Sequence, residues 1–417
     1  VVAAIALADP GDTVYVPDGA ATWGGQLLIT KGILLLTESY LGTVITSGWN
    51  TTGANDGLIK YQPANPALDE PFRLAGFELN GNGDGVINAW SDPAGYSQLL
   101  TIRNTSNTAF ITKIRIDHNK FVNCDKSNWV SIQGHIAGVG DNNIFYDTGR
   151  VGSYSAWPTI VFHDAMHAAT WTNMTFQYGS SQQFYWEDNT IISSGMIVMS
   201  YYGARWAMRH NTITWPATFA PAPMFDAHGN KSGTGMNGVM GLEIYDNTII
   251  FTYPPTSARL IDHRGGMGLF YNNLSTGTTK MDIYCREEVF DSEAPPATGP
   301  DGQPQYCSST YCWNNADSVG NLGLQQIASQ LDYGGSIGLA PAENEEIWFH
   351  KVSFDGSVGV GVGLLSARPS SGLTVGVGYW ATDTNTLYRA TGATTWEVYY
   401  TPHTYPHPHR SDTILGD

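Results

Sequence analysis

The hydrophobic positions of this chain fall in short runs rather than in long helical stripes. Thr13-Val14-Tyr15-Val16, Leu27-Leu28-Ile29, Phe77-Glu78-Leu79, Ile114-Arg115-Ile116 and Leu242-Glu243-Ile244-Tyr245 are rich in β-branched and aromatic side chains. Turn-forming pairs such as Asp18-Gly19, Lys31-Gly32 and Asn80-Gly81 stand between them. That is strand chemistry with turn punctuation, because a helix would space its apolar residues by three and four. One phrase recurs: His118-Asn119-Lys120-Phe121, Asn142-Asn143-Ile144-Phe145, Asp188-Asn189-Thr190-Ile191, His210-Asn211-Thr212-Ile213, Asp246-Asn247-Thr248-Ile249 and Asn272-Asn273-Leu274-Ser275. Its second residue advances by 24, 46, 22, 36 and 26 positions. A period of about 22–26 follows if the step of 46 spans two coils and that of 36 holds an insertion. Such a period predicts a solenoid, in which no coil buries its apolar face alone. The recurring Asn reads as scaffold: it tolerates the left-handed backbone of a tight turn, and stacked Asn side chains bond from coil to coil.

The same pattern divides the chain. Residues 1–9 form an N-terminal cap with a short helix over 1–7, and residues 10–315 form the solenoid. Residues 37–72, rich in Asn, Gly and Pro, read as loops projecting from the first coils. Residues 316–346 connect onward, with a short helix expected over 320–330. In 347–402 the alternating Val-Gly runs, Tyr379-Trp380, Leu387-Tyr388 and the strand piece from Trp396 to Tyr400 predict a small β-hairpin module. Residues 403–417 are an extended tail because prolines forbid helix there; His403, His407 and His409 could bind a metal, but read first as solvated.

Composition changes this picture in three ways. A chain of 417 residues suggests two or three domains, but a solenoid grows along one axis and removes that expectation. The formal charge of −17 argues against a nucleic-acid partner, and an anionic polysaccharide would need a local cationic lane or a metal ion. No apolar run reaches the ~18 residues of a membrane span. The start lacks a basic region and a cleavage motif, so the chain is expected to begin after a removed leader or at an artificial boundary. Of the four cysteines, Cys285, Cys307 and Cys312 lie close enough in sequence to predict a disulfide in an oxidising compartment; Cys124 stands apart.

The opening Pro10-Gly11-Asp12-Thr13-Val14-Tyr15-Val16-Pro17-Asp18-Gly19 and the Asn-turn repeat resemble the right-handed parallel β-helix proteins of the pectate-lyase-like superfamily, over roughly residues 10–315. The resemblance implies an all-β parallel β-helix, an extracellular or cell-surface setting and a polysaccharide partner. The C-terminal module is similar to those attached to phage tail-fibre β-helix proteins.

In such a helix, equivalent positions on neighbouring coils stack ~4.8 Å apart, and residues i and i+2 face the same way. Counted from each turn Asn, an acid or amide followed by His or Arg recurs at similar offsets. The outward stripe so predicted holds Gln133/His135, His163/Asp164, Tyr202/Arg205, Asp226/His228 and Asp262/Arg264, with His263 between the last two. Hydrolysis would use Asp226 and Asp262, with Asp164 in reserve; carboxylates on adjacent coils would raise one pKa. β-Elimination from a uronate would use His228 or His263 as base and Arg264 or a Ca2+ ion as cation; no other cofactor is implied. Trp157 and Trp215, beside Pro158 and Pro216, are the expected binding wall, and Trp186 and Trp206 are half core. The run from Glu243-Ile244-Tyr245-Asp246 through Asp262-His263-Arg264 to Asn272-Asn273 loosely resembles the alginate and chondroitin lyases of the superfamily. There a Lys after Glu-Ile and an Arg before His-Gly carry the elimination, and Asn and Glu hold calcium. Arg264 can be matched; Tyr245 stands where that Lys would be, and no His-Gly follows the Arg. Three functions stay open: a secreted polysaccharide hydrolase or lyase, a non-catalytic glycan-binding adhesin or phage-tail-like receptor-binding protein, and a structural filament subunit.

Overall fold

The computed structural model describes residues 1–49, 57–82, 98–124, 129–147, 158–164, 176–216, 223–229, 238–253, 255, 258–277, 281–285, 288–289, 307–317, 324–327, 331–332, 341–413 and 415. Their strands wind into a right-handed parallel β-helix of three sheets, with 11, 9 and 10 strands. Each coil gives one strand to each sheet in turn. Ile114–Asp117 lies in the first, Lys120–Val122 in the second and Val130–Gln133 in the third, and Gly138–Asp141 starts the next coil. Inward side chains stack in register; Phe121 pairs with Phe145, their rings 4.9 Å apart. The helix Val2–Leu7 buries Ile5 against the first coil, where a cap is needed.

The turn from the first to the second sheet carries the repeated phrase, and its two residues divide the work. The first of each pair takes the left-handed conformation: His118, Asn142, Asp188, His210, Asp246, Asn272 and Asn314 have φ of 52–56°. The second, a buried Asn, bonds to the next coil. From Asn143 to Asn315, each Oδ1 accepts both the backbone N–H and the Nδ2–H of the Asn one coil before, at 2.8–3.3 Å, and Asn119 Oδ1 starts the ladder by accepting the Phe77 N–H at 3.1 Å. Asn315 is a rung beyond the last repeat that the sequence revealed. The step of 46 is one coil, not two, because Ile144–Asp147 pairs directly with Thr190–Ser193. A long excursion can leave a coil without disturbing the register of its strands.

Three boundaries move. Residues 37–72 are not all loop: Thr43–Ser47 and Gly57–Tyr61 are strands of the second coil. Thr43, Ile45 and Ser47 are buried while Val44 and Thr46 are half-buried, a period of two hidden among Gly and Pro. The β-helix also outruns residue 315. Leu324–Ile327 is a strand of the third sheet where a helix was expected, although residues 318–323 and 328–330 lie outside the described residues. Ile347–Phe349 pairs with Cys307–Trp313 in the first sheet, so the module does not begin at 347. Its four strands are Val360–Gly363, Gly378–Ala381, Thr386–Gly392 and Thr395–Tyr400. None of the four cysteines forms a disulfide; all are buried, Cys285 and Cys312 in the core inside the coils. Among the described residues, no helix is long and apolar enough to cross a membrane.

The module folds back onto the outer face of the first sheet. Val377, Trp380, Leu387 and Tyr400 pack there on Tyr271, Tyr311, Trp313 and Trp348. The tail follows and docks on this face, with His407 buried and His403 and His409 half-buried rather than solvated. The carbonyls of His403 and Thr404 accept from Arg209 at 2.7 and 2.9 Å, and that of Leu415 accepts from Arg115 at 2.9 Å. The His407 N–H donates to Glu187 at 2.8 Å, and Arg410 pairs with Glu187, Asp188 and Asp141. The reason lies beneath: Asp117, Asp141, Glu187 and Arg209 form one outward row, and all four are fully buried. Buried charges need partners, and the tail completes their set.

The ladder makes the first prediction. Asn211 accepts from Asn189 and donates to Asn247 and to the carbonyls of Trp186 and Arg209. Each buried group left unpaired costs about 1–3 kcal/mol. Asn211→Ala is therefore expected to lower the denaturation midpoint markedly. An unchanged midpoint would show that the ladder is ornamental.

Candidate active site on the outer face of the third sheet

Along the third sheet, register fixes which residues share a face. One row runs through Leu28, Lys60, Thr101, Ser131, Met199, Asp226, Asp262 and Tyr284, and the 50% exposure of Leu28 marks it as outward. Two residues on, a second outward row contains Gln133 and Tyr201. His228 and Arg264 extend it just past their strands, held by backbone bonds to Ser200 and Ala227. Asp226, His228, Asp262 and Arg264 thus come together across two adjacent coils, although 36 residues separate the two pairs.

Arg264 is the centre of the cluster. Its Nε and Nη2 donate to Asp226 Oδ1 at 2.9 and 2.6 Å, and Nη2 also reaches Oδ2 at 2.5 Å. The same Nη2 lies 2.5 Å from His228 Nε2, and Nε lies 3.9 Å from Asp262 Oδ2. Arg259 approaches Asp262 from the other side at 3.6 Å, with its guanidinium 4.2 Å above the Tyr284 ring. The Tyr201 ring stacks on His228 at 4.0 Å. The four central side chains are buried, whereas Tyr201, Arg259 and Tyr284 are half-buried and rim the cluster.

Electrostatics corrects one expectation. Burial works against the charge on Asp226, but Arg264 and then His228 outweigh it and hold the carboxyl well below the usual range. The proximity of Asp262 therefore does not make Asp226 a protonated acid, because a cation stands between the two. His228 Nε2 lies between a guanidinium donor and Asp226 Oδ2, 3.2 Å away. It can accept from the first or donate to the second, so the tautomer decides which ring nitrogen offers a lone pair.

The other expected site residues are dispersed. His163 and His263 face inward, in the row with Ile132, Ser200, Ala227 and Cys285. His163 Nε2 accepts from Trp186 at 2.9 Å, and His263 Nε2 meets Thr310 Oγ1 at 3.0 Å. Burial pushes both imidazoles down to about 3, so they are neutral core groups and not site bases. A shift of one residue from Asp164 or Asp262 reverses the face of a side chain in a strand. Arg205 belongs to the first sheet, its guanidinium 5.0 Å from the Phe110 ring centre, with its pKa lowered by burial to about 10. His135 is buried beside Phe110, their ring centres 6.1 Å apart. Tyr202 turns out of the third sheet with φ of 50°. Gln133 is outward but buried, donating to Ser131 at 2.8 Å. Trp215 is a fully buried core residue rather than a binding wall, as are Trp186 and Trp206. Trp157 and the side chain of Asp164 lie outside the described residues.

The lyase-like run is split by the fold. Glu243 and Tyr245 sit on the first sheet, away from Arg264 on the third. Glu243 accepts from the Gly179 N–H at 2.6 Å, Gln183 at 2.5 Å and Tyr400 at 2.8 Å, and burial raises its pKa. Among the described residues, Asp117, His118 and Asp141 lie close enough together to share a metal ion, but Arg73 and Arg115 already bond their carboxylates. The residues missed from the sequence are Tyr201, Arg259 and Tyr284. Arg259 carried a signal, three residues before Asp262; Tyr201 and Tyr284 needed the register.

No protein-family model matches this chain, and no curated protein matches its sequence. Among solved structures, a mutant of AlyGC, an alginate lyase of family PL6, aligns at 12% identity and a TM-score of 0.38, over 100% of this chain and 57% of the lyase. ORF18 of Geobacillus virus E2 aligns at 11% identity and a TM-score of 0.29, over 93% of this chain and 78% of that one. This chain therefore spans little more than half the length of the lyase. Its fold rests on its own sheet topology.

The buried histidines set a pH dependence. Unfolded imidazole takes up a proton near pH ~6.5, whereas folded His163 and His263 resist down to about 3. Their contribution is complete above pH ~6.5 and is lost as pH falls through that window. Denaturation midpoints should drop between pH ~7 and ~5, and His263→Gln should shallow the drop. A midpoint independent of pH over that range would contradict the inward assignment.

Proposed function

We propose that this protein is an extracellular enzyme that cleaves a uronate-containing polysaccharide by β-elimination on the outer face of its third sheet. The observation that carries this reading is the placement of His228: 3.2 Å from Asp226, stacked on Tyr201 and beside Arg264. When Nε2–H donates to Asp226, the lone pair lies on Nδ1, and the carboxylate orients the base. That base takes the proton beside the uronate carboxyl. The electron pair forms the new double bond, the bond to the glycosidic oxygen breaks, and the departing oxygen takes a proton from Tyr201 or water. Arg264 and Arg259 supply the local cationic lane that an anionic polysaccharide needs on a chain of net charge −17. Hydrolysis is less well supported, because Asp226 is held ionised and offers no acid proton. With guanidinium groups against the carboxylates, the site is expected to work without Ca2+.

One observation favours a second reading, glycan binding without cleavage. The charge of Arg264 is already answered by Asp226 and Asp262. A panel of uronate-containing and neutral polysaccharides separates the two. We expect the ultraviolet absorbance of a new double bond, unaffected by a chelator and reduced at least about 100-fold in His228→Ala with the fold intact. New reducing ends without that absorbance would make the protein a hydrolase. Binding with neither product would select the second reading.

A further inference from the structure

We propose a second ligand site that takes an uncharged saccharide, in a cleft where the end of the C-terminal module meets residues 177–179. The cleft measures about 340 Å³ and lies between Gln177, Tyr178 and Gly179 on one side and residues 398–404 on the other. That volume is within the range of small-ligand pockets, roughly 300–1,000 Å³. It lies against the first sheet, apart from the third-sheet cluster, and the proposal does not depend on the elimination reading.

The cleft is built rather than incidental. Gly179 has φ of +67°, and a Cβ there would stand 2.1 Å from the Thr401 carbonyl oxygen, so the two walls meet at this residue. One buried carboxylate ties them together: Glu243 accepts from the Gly179 N–H at 2.6 Å and from the Tyr400 hydroxyl at 2.8 Å. Beside it, Tyr178 packs edge-on against both Tyr399 and Tyr400 at 6.0 Å, and its hydroxyl donates to the Ser309 carbonyl at 3.1 Å. The walls are therefore positioned before any ligand arrives.

The lining states the ligand chemistry. Apolar surface open to the cleft comes from Tyr399, Val398 and Pro402, since Tyr178 and Tyr400 are buried beneath it, and hydrogen-bonding groups come from the exposed Gln177 amide, the two threonines Thr401 and Thr404, and His403. Burial, then Arg209, lowers the pKa of His403, which keeps it neutral at neutral pH. The Tyr399 hydroxyl, buried beside Ser309, makes no hydrogen bond of sound geometry. None of the lining residues is Asp, Glu, Lys or Arg. Rings with apolar faces and edges of neutral hydroxyls fit this lining, whereas a uronate would find no cation in it.

The test uses the full chain and titrates neutral gluco-, galacto- and xylo-oligosaccharides, with uronate oligosaccharides alongside, by calorimetry or saturation-transfer NMR. Val398, on the rim and 63% exposed, can carry a Trp that fills the cleft without touching the core. We expect a neutral oligosaccharide to bind, with affinity at least tenfold weaker in Val398→Trp and in Gln177→Ala and unchanged in His228→Ala. Gln177→Ala answers the question if Val398→Trp does not fold. The proposal is overturned if no neutral oligosaccharide binds, if the cleft variants bind like the wild type, or if His228→Ala removes the binding. Loss of elimination in His228→Ala with neutral binding intact separates the two sites.

Discussion

The buried amide ladder at the turn between the first two sheets is the constraint on which the molecule depends. Each Asn from 119 to 315 completes the hydrogen bonds of its neighbour, so no rung is satisfied alone. The ladder fixes the register of the strands on either side of it. With register fixed, any residue a set distance from the turn acquires a defined face and a defined neighbour. Asp226 and Asp262 are paired for that reason, despite the irregular lengths of the coils between them.

The chain then covers part of its own surface. The outer face of the first sheet carries charges that no single coil could leave in a dry environment: Asp117, Asp141, Glu187 and Arg209 in one row, with Arg115 alongside. Arg73 and Arg115 answer Asp117, tail carbonyls and Arg410 complete the others, and the aromatic module seals the remainder of the row, where Tyr245, Tyr271 and Trp313 stack at 4.7 and 4.3 Å. Removing one partner of a buried charged network is expensive, which gives the tail its fixed course. The third sheet instead holds its charged cluster within a rim of half-buried Tyr and Arg.

Legibility followed the same division. Short β-branched runs, turn pairs and the Asn phrase were enough for the parallel β-helix, its helical cap and a C-terminal β module. They were not enough for the ends of the helix, because Leu324–Ile327 and Ile347–Phe349 lack the phrase. The clustering of Asp226, His228, Asp262 and Arg264 was legible from their matching offsets behind Asn211 and Asn247. His163 and His263 were misplaced by one residue, and Trp215 was drawn outward by a neighbouring proline although its side chain closes the core.

The sequence by itself determined the coil, because strand propensity, turn chemistry and a buried Asn at each corner are local properties written in consecutive residues. The tertiary structure decided which charges are buried and which are presented. That choice depends on residues far apart in the chain, such as Arg115 and Leu415 or Glu243 and Tyr400, meeting across the outer face. Desolvation and pairing are properties of such meetings, and no stretch of sequence contains them before the chain has folded.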